Sequence, residues 1–501
     1  MSSTITRRAV LAVAGAGLPA TAAAAAAVDR VRSLLDLTAS EALAHIGDGS
    51  LKAEDYASAL LTRRGAAADH NALTWIDADR VMDQARRADR ARASGRAQGR
   101  LAGLPVVIKD NIDTLGFPTS AGTALLKTQR PRADAGVARA LFRDGAILLA
   151  KTNMHELAGG GTSNNPVFGP VRNPYDRTRM AGGSSGGTAA AVALRFAPVG
   201  LGTDTAGSVR IPASFCGLAG LRPTIAGAAK LYPDDGIVPL AASLDTAGPL
   251  GRSVADLALI HAAVTGTPPP APAALRGLRL GLPEQHYWAG LDAEVERVSR
   301  AAVARLADAG VVFVPVDISS YIGRAQQLFG GLFMSGMRDD LDAYFRRQGQ
   351  PFTRAMVVDQ IASRDTRAMF EAASRFPKGA VSVSARADLL VAYHQVLREA
   401  GVEALCFPTV PTPPPPIRAG GDGPDDTIEI GGQTVPEHPT LPRNTVPVCA
   451  LGAPGLTLPA GLTSAGLPVG LEFEGPAGSD TRLLAIGEGF EAVLGRLPGP
   501  G

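Results

Sequence analysis

Short, wholly apolar runs alternate along this chain with longer stretches of helical periodicity. Leu104-Pro105-Val106-Val107-Ile108 and Ala146-Ile147-Leu148-Leu149-Ala150 contain no polar residue, the pattern of strands buried on both faces. Between them, residues 136–144 space their apolar side chains as one face of a helix. Thr38-Ala39-Ser40-Glu41 is a capping box that opens a helix, and residues 80–97 form a charged, alanine-rich helical stretch with little apolar face. Both belong on the surface. A further strand begins at Leu278-Arg279-Leu280-Gly281-Leu282, after the turn-rich residues 267–274. No internal repeat interrupts the alternation, which predicts an α/β layered fold.

Composition narrows the classes. A chain of 501 residues that is 46% hydrophobic can bury a large core, which excludes a disordered chain, a miniprotein and a collagen-like rod. Lysine plus arginine (49) against aspartate plus glutamate (47) leaves a net charge of +2, so neither nucleic acid nor stable membrane association is expected. Cys216, Cys406 and Cys449 are far apart, with no Cys-x-x-Cys and no His/Cys cluster. They encode neither a disulfide framework nor a zinc site and read as buried small apolar residues.

The N-terminus has its own pattern. Arg7-Arg8 precedes an apolar stretch, residues 9–18, too short to span a bilayer, and residues 22–27 supply small side chains for cleavage. Residues 1–27 look like a twin-arginine export signal, which makes a periplasmic or secreted protein, folded before export, the expectation. Residues 28–501 then form one domain: N-terminal helices at 35–97, a core at 98–265 and a C-terminal part at 266–501. Residues 408–424, with four consecutive prolines from Pro413 to Pro416, read as a surface linker or as a loop rimming a pocket.

Chemistry concentrates between Lys109 and Arg210. Lys109 closes the first apolar run; a lysine drawn into a dry site loses its charged form more easily and becomes available as a base. Gly182-Gly183-Ser184-Ser185-Gly186-Gly187-Thr188 leads into a helical stretch, so its amides sit where a helix begins. That loop admits three readings. It is a phosphate cradle, although it lacks the Gly-Lys-Ser/Thr ending of a P-loop. It is a nucleophile elbow, although the polar, proline-broken residues 172–179 supply no preceding strand. Or it is a glycine-rich turn that merely starts a helix. Gly202-Thr203-Asp204-Thr205-Ala206-Gly207-Ser208-Val209-Arg210 places small residues where several amides converge on one point. Such amides stabilise an oxyanion, each contributing on the order of 3 kcal/mol to the barrier.

Taken together, these three segments resemble the amidase signature family of Ser–Ser–Lys hydrolases. Ser184 and Ser208 lie 24 residues apart, the spacing of that family, and the likeness runs from about residue 35 to 495. It includes Lys151-Thr152-Asn153-Met154-His155-Glu156, Cys216-Gly217-Leu218-Ala219-Gly220-Leu221-Arg222-Pro223-Thr224 and Gly466-Leu467-Pro468-Val469-Gly470. The resemblance implies an α/β/α fold with a large mixed central sheet flanked by helices, and no cofactor or metal. It makes Ser208 the nucleophile, Ser184 the bridging serine on a cis peptide after Gly183, and Lys109 the base. Backbone N–H groups of Thr205, Ala206, Gly207 and Ser208 would form the oxyanion hole, with Ser185, Asp204 and Arg210 in support. Ala206 stands where the family usually has glycine, which its amide tolerates if φ stays negative. His155 reads as a satisfied structural residue, since the mechanism needs no histidine.

Within the family, His155-Glu156-Leu157, Thr162-Ser163-Asn164-Asn165 and Asp245-Thr246-Ala247-Gly248-Pro249 look most like the indoleacetamide and mandelamide hydrolase branch. That implies a small-molecule partner, an arylacetamide-type amide, with specificity carried by residues 320–345 and 405–445 and with room for a homodimer. The rival readings are a glutaminase-type amidotransferase subunit, a peptide amidase acting on C-terminal amides, and a non-catalytic amide-binding protein.

Overall fold

A computed structural model describes residues 31–96, 99–225 and 230–500; the export segment expected at residues 1–27 lies outside them. One eleven-stranded sheet organises the molecule. In chain order its strands are β1 (Leu73–Trp75), β2 (Pro105–Lys109), β3 (Ile147–Thr152), β4 (Val199–Asp204), β5 (Ala219–Arg222) and β6 (Thr246–Gly251), followed by β7 (Arg279–Leu282), β8 (Val312–Pro315), β9 (Ala404–Pro408), β10 (Gly455–Leu462) and β11 (Pro468–Glu474). In space they run β1-β3-β2-β4-β6-β5-β10-β11-β9-β7-β8. The sheet is mixed. Strand β2 pairs in parallel with β3 and β4, and β7 with β8 and β9, while β4 with β6 and β10 with β11 are antiparallel.

The apolar runs become the central strands because both of their faces are covered. Every residue of β2, β3 and β4 is buried. Helix Gly186–Ala193 is buried along its whole length, and its small side chains let it lie close against the sheet. One apolar cluster gathers Leu60, Val106, Ile108, Leu148, Val192 and Leu201; a second gathers Leu221, Leu280, Phe407, Leu471, Phe473 and Phe490. A third lies under the long helix Ile322–Arg347, where Met337 and Leu341 join Met154, Leu157 and Leu240. Among the described residues no helix is long and apolar enough to cross a membrane.

The capping box forms: Thr38 Oγ1 accepts from the Glu41 amide and Glu41 from the Thr38 amide, opening helix Ala39–Asp48. The charged helical stretch runs Ala78–Ala93, and within it only Val81 and Ala85 are buried. The proline-rich segment is not a surface linker. Pro414 and Pro415 are buried, and their carbonyls accept Arg179 Nη1 at 2.7 Å and the Met180 amide at 2.9 Å. Proline lacks a donor but keeps its carbonyl, so a proline run can dock along one neighbour without stranding a buried N–H. Pro413, Pro415 and Pro416 rim a cavity of about 580 Å³ together with Arg179 and Arg418.

Candidate active site

Two parallel strands end side by side and set the site. Ile108 is in register with Leu201, so the carboxyl ends of β2 and β4 emerge at the same edge, where open α/β sheets place their ligands. Lys109 is the last residue of β2 and has no solvent exposure. Its Nζ lies 2.7 Å from Ser184 Oγ and 2.8 Å from Thr203 Oγ1. Burial lowers the Lys109 pKa to about 7, outweighing the pull of Asp204 and Asp245 in the opposite direction. Burial therefore disfavours the ammonium and favours the neutral amine relative to an ordinary lysine.

The serine loop meets this lysine from the other side. Ser184 is buried and follows Gly183 through a cis peptide bond, and its carbonyl accepts the His155 amide at 3.2 Å. Ser185 stitches the loop to β4: its Oγ donates to the Thr203 carbonyl at 3.2 Å and accepts the Thr203 amide at 3.3 Å. The Ser185 amide donates to the Ser208 carbonyl at 3.2 Å, which holds the two serine segments against each other. Among the described residues no strand runs into Gly182; an isolated bridge, Arg172 with Met180, precedes it. The nucleophile-elbow reading therefore lacks its strand.

Ser208 stands on the loop that leaves β4. It keeps 7% exposure while Lys109 and Ser184 have none, so of the three only Ser208 reaches the surface. No hydrogen bond joins Ser184 Oγ to Ser208 Oγ among the described residues. Catalytic hydrogen bonds commonly tighten only when the reacting group is in place. Ala206 has a negative φ, so the alanine fits its position without strain. Of the four amides expected to face an oxyanion, that of Gly207 is committed elsewhere, donating to Asp204 Oδ1 at 2.9 Å. A short carboxylate at the start of a tight loop captures an amide a few residues ahead. The amides of Thr205, Ala206 and Ser208 donate to no acceptor among the described residues.

Asp204 is the hub beneath that loop. Its Oδ2 accepts the Val209 amide at 3.2 Å and Arg210 Nε at 3.1 Å; its Oδ1 accepts Arg210 Nη2 at 3.1 Å and Arg222 Nη1 at 3.0 Å. Burial alone would raise its pKa, but the two guanidinium groups hold it well below the usual carboxylate range. Arg210 also grips Glu472 Oε1, and donates to the Thr445 carbonyl at 3.0 Å. The three cysteines are free and buried. Cys449 is more than an apolar filler, because its Sγ lies 3.1 Å from Arg210 Nη2.

Several residues of the site carry no role in the sequence reading. Thr203 accepts Asn111 Nδ2 at 3.1 Å as well as Lys109 Nζ. It lies inside the recognised Gly202-Thr203-Asp204 motif, so its place was in view though its contact was not. Asp245 Oδ1 accepts Thr205 Oγ1 at 2.5 Å, and Thr445 Oγ1 donates to the Ala206 carbonyl at 2.6 Å, fixing the loop after β4 at two points. His155 is buried, 3.2 Å from Asp365 and 3.1 Å from Thr162 Oγ1. Burial disfavours its charge, but Asp365 and Asp422 outweigh this and raise its pKa. The resulting clasp ties the segment behind Ser184 to helix Arg364–Ser374.

Known proteins are similar to this chain along most of its length. The family model described as Amidase matches residues 56–484. Indoleacetamide hydrolase of Agrobacterium vitis is 36% identical over 460 residues, covering 89% of this chain and 95% of that protein. Mandelamide hydrolase of Pseudomonas putida is 34% identical over 488 residues, covering 93% of each. The X-ray structure of native peptide amidase from Stenotrophomonas maltophilia aligns with a TM-score of 0.79 at 29% identity, over 93% of this chain and 98% of that one. With a family model spanning most of its length, and with two hydrolases of about its own length this similar, the chain belongs to the amidase signature family.

Proposed function

We propose that this protein hydrolyses a carboxylic amide to the acid plus ammonia or amine through a Ser208 acyl-enzyme. Ser208 Oγ attacks the amide carbonyl carbon, its proton passing to Ser184 Oγ as the Ser184 proton passes to neutral Lys109 Nζ. The amides of Thr205, Ala206 and Ser208 receive the developing oxyanion. The proton held at Lys109 returns through Ser184 to the leaving nitrogen, the C–N bond breaks, and ammonia or amine departs. Water then attacks the acyl-enzyme, gives its proton to the same relay, and releases the acid as Ser208 is restored. The observation that carries this reading is the buried Lys109 amine, 2.7 Å from Ser184 Oγ, beside the loop that bears Ser208.

The relatives support a reading of the substrate class. Similarity to hydrolases named for indoleacetamide and mandelamide favours a small aryl-type primary amide of a linear kind. Similarity in fold to a peptide amidase favours C-terminally amidated peptides as the second reading. Ammonia release by the purified protein from phenylacetamide, an aliphatic amide and an amidated dipeptide separates them. The aryl amide is expected to be fastest; fastest turnover of the dipeptide would install the second reading, and no ammonia from any amide would end both.

The Arg7-Arg8 segment supports export in the folded state. Cell fractionation of the full chain should find activity outside the cytoplasm, and Arg7→Lys with Arg8→Lys should retain it inside; an unchanged distribution would remove this assignment.

A further inference from the structure

We propose that Glu472 is a positioning residue for the oxyanion loop, acting through Arg210 and Asp204. The proposal rests on the amidase reading and deepens it. The residues on either side of Ser208 are held by one carboxylate, since Asp204 accepts the amides of both Gly207 and Val209. A carboxylate can hold two amides only if it is itself prevented from turning. Arg210 does this with two parallel bonds, Nε to Oδ2 and Nη2 to Oδ1, each 3.1 Å. A two-pronged guanidinium fixes direction as well as distance.

Arg210 in turn needs an anchor on its other side. Its Nη1 donates to Glu472 Oε1, from strand β11, 262 residues away in sequence. All three side chains are completely buried. Arg210 thus lies between two carboxylates, Asp204 and Glu472, while Arg222 pairs with Asp204 alone; burial raises the Glu472 pKa to about 7 against the opposing pull of Arg210. Room for the second anchor is built into the adjoining strand β10. A Cβ on Gly455 would stand 3.0 Å from Glu472 Oε1 and 3.2 Å from Arg210 Cδ, so a larger residue there would crowd the pair.

The sheet supplies its own comparison residue. Glu474 lies two positions along β11, on the same face as Glu472, and is equally buried. Among the described residues neither of its carboxylate oxygens has a hydrogen-bond partner and it forms no ion pair with Arg210; burial and the neighbouring Glu472 push its pKa up, against a weaker pull from Arg210. A carboxyl group that mattered only for packing would behave alike at both positions.

The test compares Glu472→Gln with Glu474→Gln in the full chain, using ammonia release from phenylacetamide and thermal melting. Glu472→Gln keeps size and shape while removing the charge that anchors Arg210. The expected result is a kcat lowered roughly 10- to 100-fold with KM unchanged, the signature of an interaction made in the transition state. Glu474→Gln should keep both constants within about twofold of the parent. Full kcat in Glu472→Gln, or equal losses in the two variants, would overturn the proposal. If Glu472→Gln does not fold, Glu472→Asp carries the test, because it keeps the charge but falls short of Arg210. A lowered kcat at constant KM sustains the proposal, and a parental kcat overturns it. Absence of hydrolysis by the parent chain would instead overturn the amidase reading itself.

Discussion

Lys109 and Ser184, 75 residues apart in the chain, meet at 2.7 Å where neither has any solvent exposure. Two consequences follow from elementary chemistry. A buried ammonium is disfavoured, so the amine is available in its neutral form. A neutral amine has one lone pair and two N–H groups, and Thr203 Oγ1, 2.8 Å away, is placed to accept one of those hydrogens. With that hydrogen directed to Thr203, the lone pair can turn to Ser184. On the proposed relay, the contact with Thr203 would orient the lysine amine toward Ser184.

The pH profile should reveal this amine. Because the Lys109 pKa is lowered to about 7, kcat/KM should rise through neutral pH and level off above it. Below that value the ammonium has no lone pair to take the Ser184 proton. Steady-state kinetics across the range checks this, and an acidic limb near the ordinary lysine value of about 10 would contradict it.

Thr203→Val should lower kcat roughly 10- to 100-fold with KM little changed, since the methyl group removes the acceptor shared by Lys109 and Asn111. Thr203→Ser, which restores the hydroxyl, should recover most of the rate. Equal activity in both variants would mean that Thr203 does not orient the lysine.

Gly207→Ala attacks the oxyanion loop. Gly207 has φ +114°, and a Cβ there would stand 2.2 Å from Thr445 Oγ1. Strain of about 1–3 kcal/mol should appear in denaturant melts, together with a large fall in kcat. A variant with parental stability and rate would show that the loop is less constrained than these contacts require.

Asp204→Asn tests the hub. Removing one charge between Arg210 and Arg222 should destabilise the fold by about 3–5 kcal/mol, because it leaves buried guanidinium charge uncompensated. The sign of the pH effect follows. The folded Asp204 pKa is depressed, so its contribution is fully present above the unfolded value of about 3.9 and is lost as pH falls through the folded one. Melts of the parent and variant near neutral pH should differ by the full amount; equal melts would contradict the role given to Asp204.

The sequence made legible what short motifs and local periodicity carry. Lys109 ends an apolar strand, and Ser184 and Ser208 sit in glycine-rich loops of family spacing, so each is visible within a few neighbours. The buried strands β2 and β3 were readable because both faces are apolar. Contacts between distant segments were not. Glu472 with Arg210 spans 262 residues and Thr445 with Ala206 spans 239, and nothing local marks either pair. The commitment of the Gly207 amide to Asp204 depends on how the loop turns, which a list of small residues does not fix. Composition left the proline run as either a linker or a pocket rim; the second reading fits, and what decides it is where the carbonyls point.

Peptide mapping after rapid acid quench tests the central claim most directly. During turnover of phenylacetamide, the peptide bearing Ser208 should carry a phenylacetyl group, and Ser208→Ala should show neither the adduct nor ammonia release while melting like the parent. An acyl group on Ser184 instead, or sustained hydrolysis by Ser208→Ala, would contradict the account.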